Sequence, residues 1–279
     1  MHQYNFIESI LFPPIYLNES KLRKAIQGKT ILITGASSGI GEQLAIFLAK
    51  LQMELTLILV ARRKEKLEVL KQSIESEKVE IHIVSADLRV EEEMGQLFEL
   101  LQALPHGIDI FVNNAGLSIN RPVLKSLDRF HDYTRTMAIN YFAPVQLMLF
   151  IIPMLQRNNG QIINISTINA LLAPIPHWAA YQASKTAFDT WLQSASPELN
   201  RIGIATTSIY LPLVKTPMIL PTKAYRNAPA MTTEHVAKMI CHSMYVRKRR
   251  YKPWWLIFGE LSSVLFKTII DRFFSRRRG

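Results

Sequence analysis

The apolar run Ile31-Leu32-Ile33 leads directly into Thr34-Gly35-Ala36-Ser37-Ser38-Gly39-Ile40-Gly41. A stretch with Leu44, Ile46, Phe47 and Leu48 at helical spacing follows. A short run that is apolar on both faces reads as a buried parallel strand, and the later spacing reads as a helix. The succession is strand, glycine turn and helix. Glycines there allow a tight turn and let the backbone approach a pyrophosphate, which sits on the free N–H groups of the helix N-terminus. Gly35, Ser37, Ser38, Gly39, Ile40 and Gly41 are therefore candidates for a dinucleotide cradle. Their spacing departs from the usual G-x-G-x-x-G fingerprint, so the surrounding pattern has to support the assignment.

That pattern repeats. Leu55 to Val60 reads as a second strand and is followed by Ala61-Arg62-Arg63. Ile81 to Ser85 reads as a third and ends at Ala86-Asp87-Leu88. Ile108 to Val112 reads as a fourth and ends at Asn113-Asn114-Ala115-Gly116. Alternating strands and helices give an α/β fold with a doubly wound parallel sheet of the Rossmann type, whose ligands lie at the carboxyl ends of the strands. With 279 residues, 48% of them hydrophobic, the chain has enough apolar content for one large domain. An Arg after the second strand accommodates a ribose 2′-phosphate, so Arg62 points to NADP(H), against a competing reading as part of a solvated cluster with Arg63, Lys64 and Lys66. Asp87, beside Leu88, is placed to meet the adenine edge.

In Tyr181-Gln182-Ala183-Ser184-Lys185 a Tyr and a Lys stand four residues apart, on one face of a helix. An ammonium beside a phenol favours the phenolate and lowers its pKa, which makes the pair a proton donor and acceptor suited to carbonyl chemistry. Chance alone also produces this spacing, with the Lys solvated.

Taken together, T-G-A-S-S-G-I-G, N-N-A-G, the Asn in M-A-I-N-Y-F, I-I-N-I-S-T and Y-Q-A-S-K resemble the short-chain dehydrogenase/reductase family over roughly residues 28–220. The resemblance implies that Tyr181 is the general acid in reduction. Lys185 would hold the nicotinamide ribose, Asn140 would keep a water in the proton relay, and Asn114, Ala115 and Gly116 would brace the sheet beside the cofactor. The family usually has Ser where this chain has Thr167, and the interval from Thr167 to Tyr181 is one residue longer than the family's spacing. A Thr hydroxyl is also donor and acceptor, so Thr167 takes the role and Ser166 stands in reserve.

A narrower resemblance, to bacterial fatty acyl-CoA reductases within that family, rests on S-I-N-R-P-V, D-R-F-H-D-Y-T-R-T-M-A-I-N-Y-F and L-P-L-V-K-T-P-M-I-L-P-T-K-A-Y. The segments from M-T-T-E-H-V-A to the Arg-rich end share it. It implies NADPH-dependent reduction of a long-chain acyl thioester to an aldehyde, with Thr216 on the nicotinamide carboxamide and Val214 beside it. The alternatives are an NADP(H)-dependent reductase of an apolar, lipid- or steroid-like ketone, and a catalytically weak NADP-binding protein that acts through its tail.

Three segments follow: an apolar extension at residues 1–27, the NADP-binding reductase domain at 28–246, and a basic amphipathic helix at 247–279. The first is too short to span a bilayer and has neither a basic start nor a small-residue cleavage site, so no signal peptide is expected. From Arg247 onward ten Lys/Arg face two acids, a net +8 of the chain's +11. Phe258, Leu261, Leu265, Ile269 and Phe273 recur at helical spacing after Trp254-Trp255, which suits a helix lying in a membrane interface or packed on protein. The single Cys241 excludes an internal disulfide, and the His spacings fit no metal motif; His131 and His177 are structural or border the substrate entry. The expected partners are a small-molecule lipid substrate and a second copy of the chain, with no nucleic acid. The expected location is the cytoplasm, with peripheral contact on the membrane.

Overall fold

The computed structural model describes residues 4–266 except 221, 223, 224 and 226. Ile269, Phe273 and Arg276–Arg278 of the expected C-terminal stripe lie outside the described residues. Seven parallel strands form one sheet: β1 (Lys29–Thr34), β2 (Leu55–Ala61), β3 (Val79–Ser85), β4 (Ile110–Asn113), β5 (Gln161–Thr167), β6 (Ala205–Leu211) and the short β7 (Arg250–Tyr251), in the order β3-β2-β1-β4-β5-β6-β7. The chain reverses its direction of travel across the sheet between β1 and β4, which opens a crevice at their carboxyl ends.

The pleat divides the strand residues between two cores. Ile31, Ile33, Leu57 and Leu59 face α2 (Glu19–Ile26), α3 (Gly39–Ala49), α4 (Lys64–Ile74) and α9 (Thr233–Val246). Leu32, Ile58, Val60 and Phe111 face α5 (Glu91–Ala103), α7 (Ala143–Arg157) and α8 (Ala179–Arg201). With both faces covered, the strands are apolar throughout, as the sequence pattern requires.

Two strand boundaries differ from the sequence expectation. β3 begins at Val79, two residues early, because Val79 is already paired with Leu55. β4 begins at Ile110 rather than Ile108, because the Asp109 carboxylate takes the Thr30 amide at 2.9 Å and Lys29 Nζ at 2.7 Å and so caps the ladder edge.

The continuous helical run Phe130–Arg157 is long and apolar enough to cross a membrane, but Leu147, Met148, Ile151 and Leu155 bury it against the sheet. It consists of α6 (Phe130–Met137), a π-helical turn at Ala138–Phe142, and α7. The N-terminal extension divides its apolar residues. Phe12, Leu22 and Ile26 enter the core, while Phe6, Ile7 and Ile10 of α1 (Phe6–Leu11) stay exposed. Trp254 Nε1 and Trp255 Nε1 donate to the carbonyls of Ile10 and Leu11 at 3.1 and 3.3 Å, joining α1 to α10 (Leu256–Leu265).

Candidate active site

The cradle is assembled at the carboxyl end of β1. Gly41 sits so close to the preceding turn that a Cβ would lie 2.6 Å from the Gly35 carbonyl oxygen and 2.9 Å from Asn114 Nδ2, and the backbone oxygen has no room to retreat. Asn114 Nδ2 donates to the carbonyls of Thr34 (2.9 Å) and Gly35 (3.3 Å). Thr34 Oγ1 accepts from the amides of Asn114 and Ala115, both at 3.1 Å. The Asn114–Gly116 segment thus ties β4 to β1 at the crevice. Ser38 caps α3 without a side-chain bond to the helix. Thr216, from the loop after β6, packs against Gly39, which has φ +64°, 3.1 Å from where its Cβ would be. Val214 is buried at the base of that loop, in an isolated bridge to Met231. Ile40 packs against the core, and the Leu88 side chain is buried in the opposite one.

The basic groups beyond β2 are arranged differently from the sequence expectation. Arg62 is 65% exposed and 3.8 Å from Asp87. Arg63, assigned no role beyond the surface cluster, donates to Ser37 Oγ (2.9 Å) and Ser38 Oγ (2.7 Å) and so lies on the glycine turn itself. The Asp87 carboxylate is held by Arg89 at 2.6 and 2.9 Å, and the hydrogen bonds from Arg89, chief among the influences on it, keep its pKa below the usual range.

The candidate reacting groups come from β5, α8 and the π-helical turn. Asn140 is 1% exposed; its Oδ1 accepts from the Leu117 amide, and its Nδ2 donates to the Leu117 carbonyl and to Ser184 Oγ, all at 2.9 Å. Lys185 Nζ donates to the Ile165 carbonyl at 3.2 Å. A Cβ on Gly116 would lie 3.0 Å from Asn140 Oδ1 and 3.4 Å from Lys185 Nζ, which places the end of β4 against both. Trp178 meets the Tyr181 ring edge-on at 5.6 Å and stacks on Tyr225 at 6.1 Å. The Thr167 hydroxyl, at the end of β5, accepts from the Asn169 amide at 3.3 Å and is the nearby polar group that opposes the rise in the Tyr181 pKa. Ser166, one residue earlier on the pleat, is buried with its Oγ unpartnered among the described residues. Of the two hydroxyls, it is Thr167 that bears on the Tyr181 pKa.

The electrostatics correct one expectation. Burial pushes the Tyr181 phenol up to about 12, against a smaller downward effect of the nearby Thr167 hydroxyl, with Tyr225 adding to the rise. The same burial pushes Lys185 down to about 8, opposed by Asp189. Lys185 points its ammonium at the Ile165 carbonyl and is not among the influences on Tyr181, so the lowering of the Tyr181 pKa expected from the spacing is absent here.

The sequence reading missed Glu8. This buried carboxylate on α1 accepts from Lys215 Nζ at 2.7 Å and from the Ala230 amide at 3.2 Å, and so clamps both ends of the loop after β6. The Asn5-x-x-Glu8 capping box is the one local signal that marks the segment as structured. Among the described residues no group of His, Cys, Asp or Glu is arranged to hold a metal ion.

A sheet reversing at β1 and β4, a helix N-terminus aimed at the crevice and a Tyr–Lys pair beside it define a Rossmann-type oxidoreductase. The chain belongs to the short-chain dehydrogenase family, whose sequence model matches residues 29–226. It is 42% identical to a fatty acyl-CoA reductase of Acinetobacter baylyi over 254 residues, 91% of this chain and 84% of that protein. It is 37% identical to a fatty acyl-CoA reductase of Mycobacterium tuberculosis over 247 residues, 86% of this chain and 82% of that one. A short-chain dehydrogenase from Sphingobium yanoikuyae, solved in complex with NADPH, has the same fold at TM-score 0.73 and 23% identity, covering 90% of this chain and 96% of the other.

Proposed function

We propose that this chain is an NADPH-dependent reductase that converts a fatty acyl-CoA thioester to an aldehyde. The observation that carries the reading is Lys185, one helical turn beyond Tyr181 on α8 and bonded to the Ile165 carbonyl of the strand that ends at Thr167, in a chain alike over most of its length to two proteins bearing that name. The residues suit a dinucleotide: the turn at Gly41 leaves space only a glycine permits, and Arg63 and Arg62 supply cations where a 2′-phosphate would lie. The bound cofactor supplies a hydride to the carbonyl carbon.

The remaining steps belong to the chain. As charge develops on the thioester oxygen, the Thr167 and Tyr181 hydroxyls stabilise it where it forms. A phenol held near 12 keeps its proton at neutral pH and transfers it to the far more basic alkoxide, giving a hemithioacetal. Collapse breaks the C–S bond, the CoA thiolate leaves, and the Tyr181 phenolate takes back the hydroxyl proton as the aldehyde forms. Anionic phosphates entering the cleft favour the ammonium form of Lys185, which then steadies the phenolate. Asn140 holds Leu117 and Ser184 in place around the pair. The test is release of free thiol from palmitoyl-CoA, followed with NADPH and with NADH. Thiol released in step with NADPH loss, and more slowly with NADH, is the expected result. Oxidation of NADPH by apolar ketones with no thiol from any acyl-CoA would overturn the substrate.

The joined termini add a surface to this site. α1, Trp254 and α10 expose Phe6, Ile7 and Ile10, the Trp254 ring, and Ile257, Phe258, Leu261 and Leu265, next to the basic stretch Arg247–Arg250 and Lys252. Ser263 Oγ on α10 accepts from the Ala173 amide at 3.1 Å, in the segment between Thr167 and Tyr181. An apolar face with a cationic rim matches an anionic bilayer, so the chain docks peripherally at the cytoplasmic membrane face and takes its acyl substrate there. Full-length protein should float with phosphatidylglycerol vesicles, and Phe258→Ser with Leu261→Ser should lower the bound fraction severalfold. Equal flotation of both proteins would refute the surface.

A further inference from the structure

Three guanidinium groups converge on the single buried carboxylate of Asp132. Arg121 Nε and Arg129 Nε lie 3.0 and 3.2 Å from Oδ2, Arg135 lies 4.0 Å from Oδ1, and His131 Nε2 lies 3.4 Å from Oδ1. Burial raises the Asp132 pKa, but the hydrogen bonds from Arg129 and Arg121 outweigh it and hold the group ionised. One carboxylate against three permanent cations leaves the cluster at +2. Its donors are also in surplus. Arg121 and Arg129 spend only their Nε on Asp132, and the Arg135 side chain, 47% exposed, makes no hydrogen bond among the described residues. An arrangement that only fastened a loop to α6 would need one such arginine.

The cluster stands at the edge of the reaction centre. The Arg121 amide donates to the His177 carbonyl at 2.7 Å, next to Trp178. Arg121, Asp132, Tyr133 and His177 line a small cavity shared with Ala180, the residue before Tyr181. We propose that Arg121, Arg129 and Arg135 form a subsite for the phosphates of the coenzyme A nucleotide, holding them at the cleft rim while the pantetheine arm carries the thioester to Tyr181 and Thr167. Planar guanidinium forks match phosphate oxygens in pairs. This rests on the acyl-CoA reading of the site, and it assigns a place on this chain to the part of the substrate that does not react.

The experiment compares palmitoyl-CoA with palmitoyl-pantetheine, the same thioester without the nucleotide. The wild type should show a kcat/KM ratio favouring the CoA form by on the order of 10- to 100-fold, from several charge-assisted contacts. High salt should erode that ratio. Arg135→Gln leaves Asp132 its two close partners, so the fold should hold; it should lower the ratio roughly fivefold, and adding Arg121→Gln should lower it further. A wild-type ratio near one, or a ratio that Arg135→Gln leaves in place, overturns the subsite while the acyl-thioester reading stands. Failure to reduce either thioester overturns that reading itself, and the pantetheine substrate tells the two failures apart.

Discussion

Tyr181→Phe should reduce thioester reduction by about 10³-fold, the range that positioned acid catalysis supplies, while NADPH binds within about twofold of the wild type. The substitution removes one oxygen from a ring whose packing on Trp178 needs only its carbon atoms. The fold and the cofactor cleft should therefore persist, with no proton available to the developing alkoxide. Thr167→Val should cost less, about 10- to 100-fold, because it takes away one donor to the oxygen and leaves the acid. Thiol release under single-turnover conditions, with NADPH binding followed by fluorescence, separates chemistry from binding. Turnover within tenfold of the wild type for the Phe variant would mean that another group, or water, delivers the proton.

Lys185→Met should lower turnover by at least 100-fold and yet raise the melting temperature near pH 7. The reason lies in the folded-state pKa of about 8 against an ordinary 10.5. Below pH 8 both folded and unfolded chains carry the proton, and the folded chain bears the full cost of enclosing an ammonium, about 3 kcal/mol from the shift alone. Between pH 8 and 10.5 the unfolded chain holds more protons, so wild-type stability rises with pH, and above 10.5 the cost is gone. Methionine keeps most of the volume and loses the bond to the Ile165 carbonyl, which offsets part of the gain. A net rise of roughly 2–5 °C at pH 7 should remain. It should shrink toward zero by pH 10. A gap between the two proteins that stayed constant with pH would show that charge burial is not its source.

Much of the fold could be read from the chain because local and long-range signals coincide there. Ile31–Ile33, Leu55–Val60 and the carboxyl-end motifs name the strands that meet at the crevice, and all three sit where the parallel ladder puts them. Thr167 and Tyr181 were legible as types with a fixed spacing; the effect of one hydroxyl on the other was not, because it depends on how the loop between them folds. The direction of the Tyr181 pKa could not be read from spacing at all. A Lys four residues away gives proximity, while burial of the phenol decides the sign. Glu8 and Lys215 lie far apart in sequence, so their pairing follows only from the packed termini. Arg62 and Arg63 show the resolution limit of a motif: adjacent residues of one type, of which the turn recruits the second.

The π-helical turn at Ala138–Phe142 carries one residue more than an α-helical turn would hold. Each residue of an α-helix advances the chain by about 1.5 Å and about 100° of azimuth. The wide turn therefore acts as a phase offset between the two halves of one long rod. With it, Leu147 and Ile151 keep contact with the sheet, while Asp132 on α6 and Asn140 within the turn keep theirs with the loop that follows β4. Removing a single residue from 138–142 would regularise the helix and swing α6 by about 100° relative to α7. Asn140 would then turn away from Leu117 and Asp132 from Arg121, which makes this one turn the common mechanical origin of both contacts with that loop.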